Sequence, residues 1–117
     1  MKKILILVTA FLFINNLALA AGGDGGSSSS KASMYDEAVK LIKRAGKLEK
    51  KDNTDKAVKL YKEAFIKLEK ANKKDKDNPD ILNYMGFTSR KSGNFDEAEK
   101  FYLKGLSLNP KHNGINE

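Results

Sequence analysis

The chain has 117 residues, of which 40% are hydrophobic and 32% are charged, with one histidine, no cysteine and a formal net charge of +7. This length allows one small domain, and the hydrophobic fraction is enough to build its core. Without cysteine, the chain cannot form disulfides, thiolate metal sites or a lipid anchor attached to cysteine.

The first twenty residues have the pattern of a secretory signal peptide. Two lysines precede an apolar run at 4–14, and Ala18-Leu19-Ala20 resembles a small-residue cleavage site. The alternative is a membrane anchor, but the apolar run is shorter than the roughly 20 residues that a spanning helix needs. We therefore expect export with cleavage after residue 20, to the periplasm if the source is Gram-negative and otherwise by secretion, with no membrane span afterwards.

The charge left after cleavage is moderately basic, with 20 basic and 15 acidic side chains, or +5. Lysine supplies most of it, because Arg44 and Arg90 are the two arginines. Lysine is a mobile, strongly hydrated point charge and is poorly suited to bidentate recognition of phosphate or bases. The composition predicts a general attraction to anionic surfaces and indicates no specific nucleic-acid site.

A linker and a helical domain are predicted to follow. Residues 21–33 read AGGDGGSSSSKAS, a composition typical of a flexible linker. Ser33 with Asp36 three residues later is typical of a helix start, so the folded domain is predicted to span 34–110. Apolar residues then recur at three- and four-residue spacing. We predict helices over 34–51, 54–74, 79–92 and 94–108, with 111–117 as a tail or the start of a missing helix.

Start and stop signals separate the predicted helices. Asn78-Pro79-Asp80 offers a capping side chain, a proline at the first turn and an acidic residue, and so opens the third helix. Gly93 is predicted to end that helix and Asn94 to cap the fourth. Because no strand-like alternation occurs and the loops are short, the fold is predicted to be all-α, with successive helices antiparallel.

The second and fourth helices repeat one another. At a constant offset of 41 residues, Asp96, Ala98, Lys100 and Tyr102 match Asp55, Ala57, Lys59 and Tyr61. The segment from Pro79 to Pro110 resembles the tetratricopeptide repeat, a helix-turn-helix unit of about 34 residues. The resemblance implies a short solenoid of stacked helical hairpins with four helices and about two repeats. The extra seven residues in the offset are predicted to lengthen the second helix and its loop.

The resemblance also assigns packing roles within the second unit. Small residues allow two helices to approach closely, while larger apolar residues fill the flanks. Two positions depart from the family pattern, since Ser89 replaces an aromatic residue and a leucine replaces the usual tryptophan. In the first unit, Ala45 stands where the family has glycine. The predicted packing residues are Leu82, Met85, Gly86, Ala98, Tyr102, Gly105 and Pro110.

The sequence beyond Pro110 leaves the end of the solenoid open. Stacked repeats usually finish with a polar capping helix, and the sequence offers no cover for Phe101 or Leu108. Three explanations stay open: a truncated chain, a module completed by a partner or by self-association through this open face, and a natural end.

The residue types argue against catalysis. His112 is the single histidine and is predicted to lie in an exposed tail, so a catalytic dyad or a conventional zinc site lacks its components. The acidic residues at 36–37, 55 and 96–97 fall in first helical turns, where they complement the helix dipole. We predict no enzyme activity, cofactor or metal.

A binding face is the remaining feature. Asn83, Phe87 and Arg90 follow one another at helical spacing on the third helix, away from its packing stripe. The resemblance implies that the first helices of successive units line a concave groove, which adds Lys43 and Lys50, with Lys91 at the rim. The alternative is that Phe87 packs on the first hairpin and the lysines only increase solubility.

The leading hypothesis is an exported, non-catalytic scaffold that binds a peptide or protein segment on a concave face. Two alternatives are a lysine-driven binder of an anionic polymer or nucleic acid, and an accessory helical fragment of a larger assembly.

Overall fold

The computed structural model describes residues 32–117, all of whose regular structure is helical, so the all-α prediction is confirmed. The predicted signal peptide lies outside the described residues, as does all of the predicted linker except its last two positions. The helices are α1 (Met34–Glu49), α2 (Thr54–Lys74), α3 (Pro79–Lys91), α4 (Phe95–Leu108) and the short α5 (Asn113–Asn116). With 21 residues against 14, α2 exceeds α4 by the seven residues that lengthen the offset of the repeat.

Side-chain caps fix the starts of α1 and α3. Ser33 Oγ accepts a hydrogen bond from the backbone N–H of Asp36 (3.1 Å), and the Asp36 carboxylate accepts one from the backbone N–H of Ser33 (3.2 Å). These bonds to Ser33 lower the pKa of Asp36. Asn78 Oδ1 accepts from the N–H of Asp80 (2.9 Å). Both starts satisfy backbone donors that a helix leaves without partners.

The predicted cap at Asn94 is wrong, because its side chain makes no capping hydrogen bond. Its backbone, at φ −92° and ψ 69°, lies outside the extended region that a capping residue adopts. The preceding turn imposes this conformation, since the Asn94 N–H is bonded to the carbonyl of Ser89 (2.9 Å).

The two hairpin turns have the same geometry, 41 residues apart. Asp52 and Gly93 both have left-handed backbones, with φ of 57° and 85°. In each turn the N–H of the next residue donates to a carbonyl five residues earlier, on Leu48 and Ser89, at 2.9 Å. This pattern is the Schellman ending of a helix. It also explains why α1 ends at Glu49, two residues earlier than predicted.

The core lies along α2, which packs against α1 on one side and α3 on the other. Alanines allow α1 and α2 to approach closely, as Ala38, Ala45 and Ala57 are fully buried. Tyr61 is 1% exposed at the centre of this layer. The buried hydrophobic residues are Ala38, Leu41, Ile42, Ala45, Ala57, Tyr61, Ala64, Leu68, Ala71, Ile81, Leu82, Met85 and Ala98.

The prediction that the outer face of α4 lacks cover is partly wrong. Phe101 packs on the core, with its ring centroid 5.8 Å from that of Phe65 in α2. The reason is that the large ring of Phe101 reaches across to Phe65 of the preceding unit. Leu103 and Leu108 are exposed, at 59% and 45%.

The C-terminal segment is anchored to the domain, so the prediction of an exposed His112 is wrong. The side chain of His112 is 11% exposed, and its Nε2 lies 2.8 Å from Asp80 Oδ1. In α5, Ile115 contacts the position where a Cβ would stand at Gly105. Asn116 Nδ2 donates to the carbonyl of His112 (3.0 Å) and so stabilises the turn. The space beside Gly105, which has no side chain, accommodates Ile115 and so holds α5 against α4.

Candidate functional site

A cleft of about 560 Å³ lies between α1, α3 and α5, where the first helices of the hairpins meet the C-terminal segment. Its walls combine apolar and aromatic side chains with one amide, one guanidinium and one carboxylate. It is lined by Ile42, Asn83, Tyr84, Phe87, Arg90, Tyr102, Gly114, Ile115 and Glu117.

Three of the residues predicted for a binding face share this cleft. Asn83, Phe87 and Arg90 occupy successive turns on one side of α3 and all line the cleft. The guanidinium carbon of Arg90 lies 5.5 Å from the centroid of the Phe87 ring, within the range of a cation–π contact. The Arg90 side chain is exposed and can contact a ligand without rearrangement of the core.

Phe87 also packs on the first hairpin, as the alternative proposed. Its ring meets the ring of Tyr61 edge to face, with centroids 5.7 Å apart and an interplanar angle of 79°. Such a geometry is favourable for aromatic pairs. Phe87 therefore packs on the core through Tyr61 and also lines the cleft. The contact with Tyr61 holds the ring in place.

Lys91 is engaged within the protein. Its Nζ lies 3.0 and 3.1 Å from the two carboxylate oxygens of Glu49, and the Tyr61 hydroxyl donates to the same carboxylate at 3.0 Å. Burial, followed by the hydrogen bond to Glu49, raises the pKa of Tyr61 to about 12. The three side chains come from α3, α1 and α2, so they connect the two hairpins.

Lys43 and Lys50 do not line the main cleft. Lys43 is exposed on α1, and Lys50 is exposed at the end of that helix, in the turn that follows it. Lys43 borders a neighbouring depression of about 410 Å³ that Tyr35 and Tyr84 also line. The structure thus brings together half of the predicted binding residues and leaves these two on an adjacent surface.

Sequence reasoning missed the role of Tyr84 and of the C-terminal segment. Tyr84 borders both depressions, and its ring lies edge-on to Tyr35 at 5.9 Å. Its spacing of three residues from Phe87 is the signal that could have placed it on the same side of α3. Nothing in the sequence pattern predicted that Gly114 would approach Asn83, where a Cβ on the glycine would stand 2.6 Å from the amide nitrogen.

The predicted packing residues lie between α3, α4 and α5. Leu82, Met85 and Ala98 are 1 to 3% exposed, and Gly86 and Gly105 are buried, whereas Pro110 is exposed. A Cβ at Gly86 would stand 2.5 Å from Cε1 of Tyr102. Because Tyr102 also lines the cleft, the packing of the hairpin shapes one wall of the candidate site.

The chemistry of this cleft suits binding. Exposed aromatic surface beside an amide and a guanidinium can hold a peptide through apolar contact and hydrogen bonds to its backbone. Within residues 32–117, no group of three or more histidine, cysteine, aspartate or glutamate side chains could hold a metal ion. None of the helices in the same range is long and apolar enough to cross a bilayer.

Comparison with known proteins identifies the repeat. Residues 79–112, which include α3 and α4 and end at His112, match the family model of the tetratricopeptide repeat. This segment is therefore a tetratricopeptide repeat, as the pattern from Pro79 to Pro110 predicted. Neither the search of curated proteins nor the search of solved structures found a significant match. Such a repeat indicates a protein–protein interaction module, a class that is generally a non-catalytic scaffold.

Proposed function

We propose that this protein is an exported, non-catalytic scaffold that binds a peptide or protein segment in the cleft between α1, α3 and α5. The observation that supports this proposal best is the convergence of Asn83, Phe87 and Arg90 on one cleft within and beside a tetratricopeptide repeat.

Each side chain has a distinct part in this proposal. Phe87, with Tyr84 and Tyr102, supplies a rigid apolar surface for a side chain of the partner. Asn83 can both donate to and accept from a peptide backbone, and Arg90 donates to carbonyl or carboxylate oxygens. Aromatic residues and arginine carry much of the binding energy in protein interfaces.

A pull-down from the exported fraction tests the cleft. Arg90→Ala and Asn83→Ala should each weaken capture of the partner several-fold, because each removes hydrogen bonds at the centre of the interface. Phe95→Ala is the matched control, since Phe95 is 67% exposed on α4 and does not line the cleft. Equal capture by the two cleft variants, the control and the wild type would refute the proposal.

Phe87→Ala needs a separate measurement of stability because Phe87 also packs on Tyr61. Loss of binding in a variant that still unfolds cooperatively by circular dichroism would support contact with the partner. A variant that captures the partner normally would place Phe87 in the core alone.

Lysine-driven binding of an anionic polymer is the second candidate, and the exposed lysines of α1 favour it. It predicts steep loss of affinity with salt. Capture that persists in the Asn83 and Arg90 variants but disappears in moderate salt would favour it over the cleft. The third possibility, an accessory helical fragment, predicts that the isolated protein captures nothing and assembles only with a larger complex.

Export is proposed from residues 1–20 alone. Expression in a Gram-negative host followed by fractionation should place the protein in the periplasm, and mass spectrometry should find a chain that begins at Ala21. An intact N-terminus on protein found in the cytosol would argue against export.

Self-association through the outer side of α4 stays a prediction. Leu103 and Leu108 are exposed there, and sedimentation at increasing concentration should reveal dimers that Leu103→Ser dissociates. A monomer at all concentrations would exclude it.

A further inference from the structure

The outward side of α1 carries an unbroken group of positive charges, which we call the α1 stripe. Its six members recur at three- and four-residue spacing and are all exposed. Among residues 32–117, none of them forms an ion pair. They are Lys40, Lys43, Arg44, Lys47, Lys50 and Lys51.

The acidic residues near the α1 stripe do not neutralise it. Glu49, the one acid on α1 between Lys40 and Lys51, is directed inward to Lys91 and Tyr61. Asp36 precedes the stripe by one turn and is hydrogen-bonded to Ser33, with Lys40 a smaller influence on its pKa. Asp52 follows Lys51 in the turn and offsets charge at that end, so the positive potential is largely uncompensated between Lys40 and Lys50.

The other long helices are different. On α2, seven lysines share the surface with three exposed acids, Asp55, Glu63 and Glu69, and on α4 three acids share it with two lysines. Mixed signs are typical of a solvated helix surface. The α1 stripe differs in that no exposed acid lies between Lys40 and Lys51.

The shape of the stripe fits a flat anionic surface. From Lys40 to Lys47 it runs about 10 Å along α1 at 1.5 Å per residue, and Lys50 and Lys51 extend it into the turn that follows the helix. Five of its six members are lysines, which act as point charges and do not read bases bidentately. Tyr35 and Tyr84 border the depression beside Lys40 and Lys43 at one end of the stripe, and the rest of the stripe offers only charge.

We propose that the α1 stripe docks the domain on an anionic lipid surface. The choice of lipid over nucleic acid rests on the proposed export, because a chain directed to a membrane by residues 1–20 meets anionic headgroups there. The α1 stripe is separate from the cleft and does not depend on peptide binding.

Vesicle co-sedimentation of the full chain tests this inference. The vesicles contain phosphatidylcholine with about one third phosphatidylglycerol, and vesicles of phosphatidylcholine alone are the reference. Each cation near such a surface contributes about fivefold in affinity, so Arg44→Gln with Lys47→Gln should lower partitioning about 25-fold. Salt should weaken binding of the wild type strongly.

The matched control removes the same charge from α2, where Lys59 and Lys62 are also exposed and three residues apart. Lys59→Gln with Lys62→Gln should lower partitioning only slightly. All variants keep residues 1–31, so that segment is the same in each of them. Thermal unfolding of both double variants checks that each remains folded.

Three outcomes would overturn the inference: equal losses in the α1 and α2 variants, equal binding to neutral and anionic vesicles, or tighter binding to a short DNA duplex at equal phosphate concentration. The test is independent of the proposed peptide binding, since Arg44 and Lys47 do not line the cleft. Arg90→Ala should weaken peptide capture and leave vesicle binding nearly unchanged.

Discussion

Gly86 of α3 and Tyr102 of α4 are in such close contact that a Cβ at Gly86 would stand 2.5 Å from Cε1 of the tyrosine ring. The absence of a side chain at position 86 lets the two helices of the repeat approach closely. The same ring lines the cleft. A change at Gly86 is therefore expected to affect both the stability of the hairpin and the shape of the candidate site.

Gly86→Ala should lower the free energy of unfolding by about 1 to 3 kcal/mol, because the added methyl group must displace Tyr102 in a packed interface. Gly46→Ala in α1 is the matched control. Its nearest neighbour would be the Tyr61 hydroxyl at 4.0 Å, an ordinary contact, so the better helix propensity of alanine should stabilise by about 0.5 to 1 kcal/mol. Urea denaturation measures both, and effects of the same sign would contradict the packing described for Gly86.

Substitution of the left-handed residue should change stability in opposite directions in the two turns, one at Gly93 and the other at Asp52. Gly93→Ala should destabilise by about 1 to 2 kcal/mol through backbone strain alone, since no atom lies within 4 Å of an added Cβ. Asp52→Gly removes the corresponding strain at φ 57° and should stabilise by a few tenths of a kcal/mol, net of the entropy that glycine costs. Thermal unfolding measures the difference, and a neutral Gly93→Ala would exclude a left-handed requirement in the second turn.

The raised pKa of Tyr61 predicts a loss of stability at alkaline pH. The protonated hydroxyl is favoured in the folded state, so its contribution is complete below the ordinary tyrosine pKa of 10.0 and is lost as the pH rises toward about 12. The loss should amount to about 2 to 3 kcal/mol at most. Tyr61→Phe should cost about 1 kcal/mol at neutral pH and should lack this component of the alkaline loss. Parallel alkaline profiles for the two proteins would show that Tyr61 ionises normally.

The C-terminal segment should detach when a side chain at position 105 fills the space that Ile115 now occupies. Gly105→Ala places a methyl group where Ile115 now lies, so α5 should be released while α1 to α4 remain folded. Hydrogen exchange at 113–116 should increase to the rate of an unstructured chain. Ile115→Ala should have the same local effect, and protection of these amides in both variants would mean that other contacts hold the segment.

Sequence patterns predicted the helices well because their signals are local. Asn78 and Pro79 determine the start of α3 through hydrogen bonds and backbone geometry within a few residues. Asn94 has a similar local sequence, but the turn after Gly93 fixes its backbone first and prevents capping. Side-chain preference at a helix start therefore has to agree with the turn that precedes it.

The misjudged features depend on contacts distant in sequence. The cover of Phe101 comes from Phe65 in another helix, and His112 is held by Asp80, which is 32 residues away. Periodicity assigns a residue to one side of a helix but does not say which neighbour lies there. The cleft was predicted in part because three of its members share α3, whereas Ile115 and Gly114 enter it from a segment with no recognisable pattern.

Site-specific photocrosslinking tests the peptide-binding cleft most directly. A photoreactive amino acid would replace Glu117, which lines the cleft without a proposed role in binding, in one variant and Phe95, on the exposed side of α4, in the other. After irradiation in the exported fraction, we predict a discrete crosslinked protein from position 117 and none from position 95. Crosslinking to the same protein from both positions, or from position 95 alone, would contradict binding in the cleft between α1, α3 and α5.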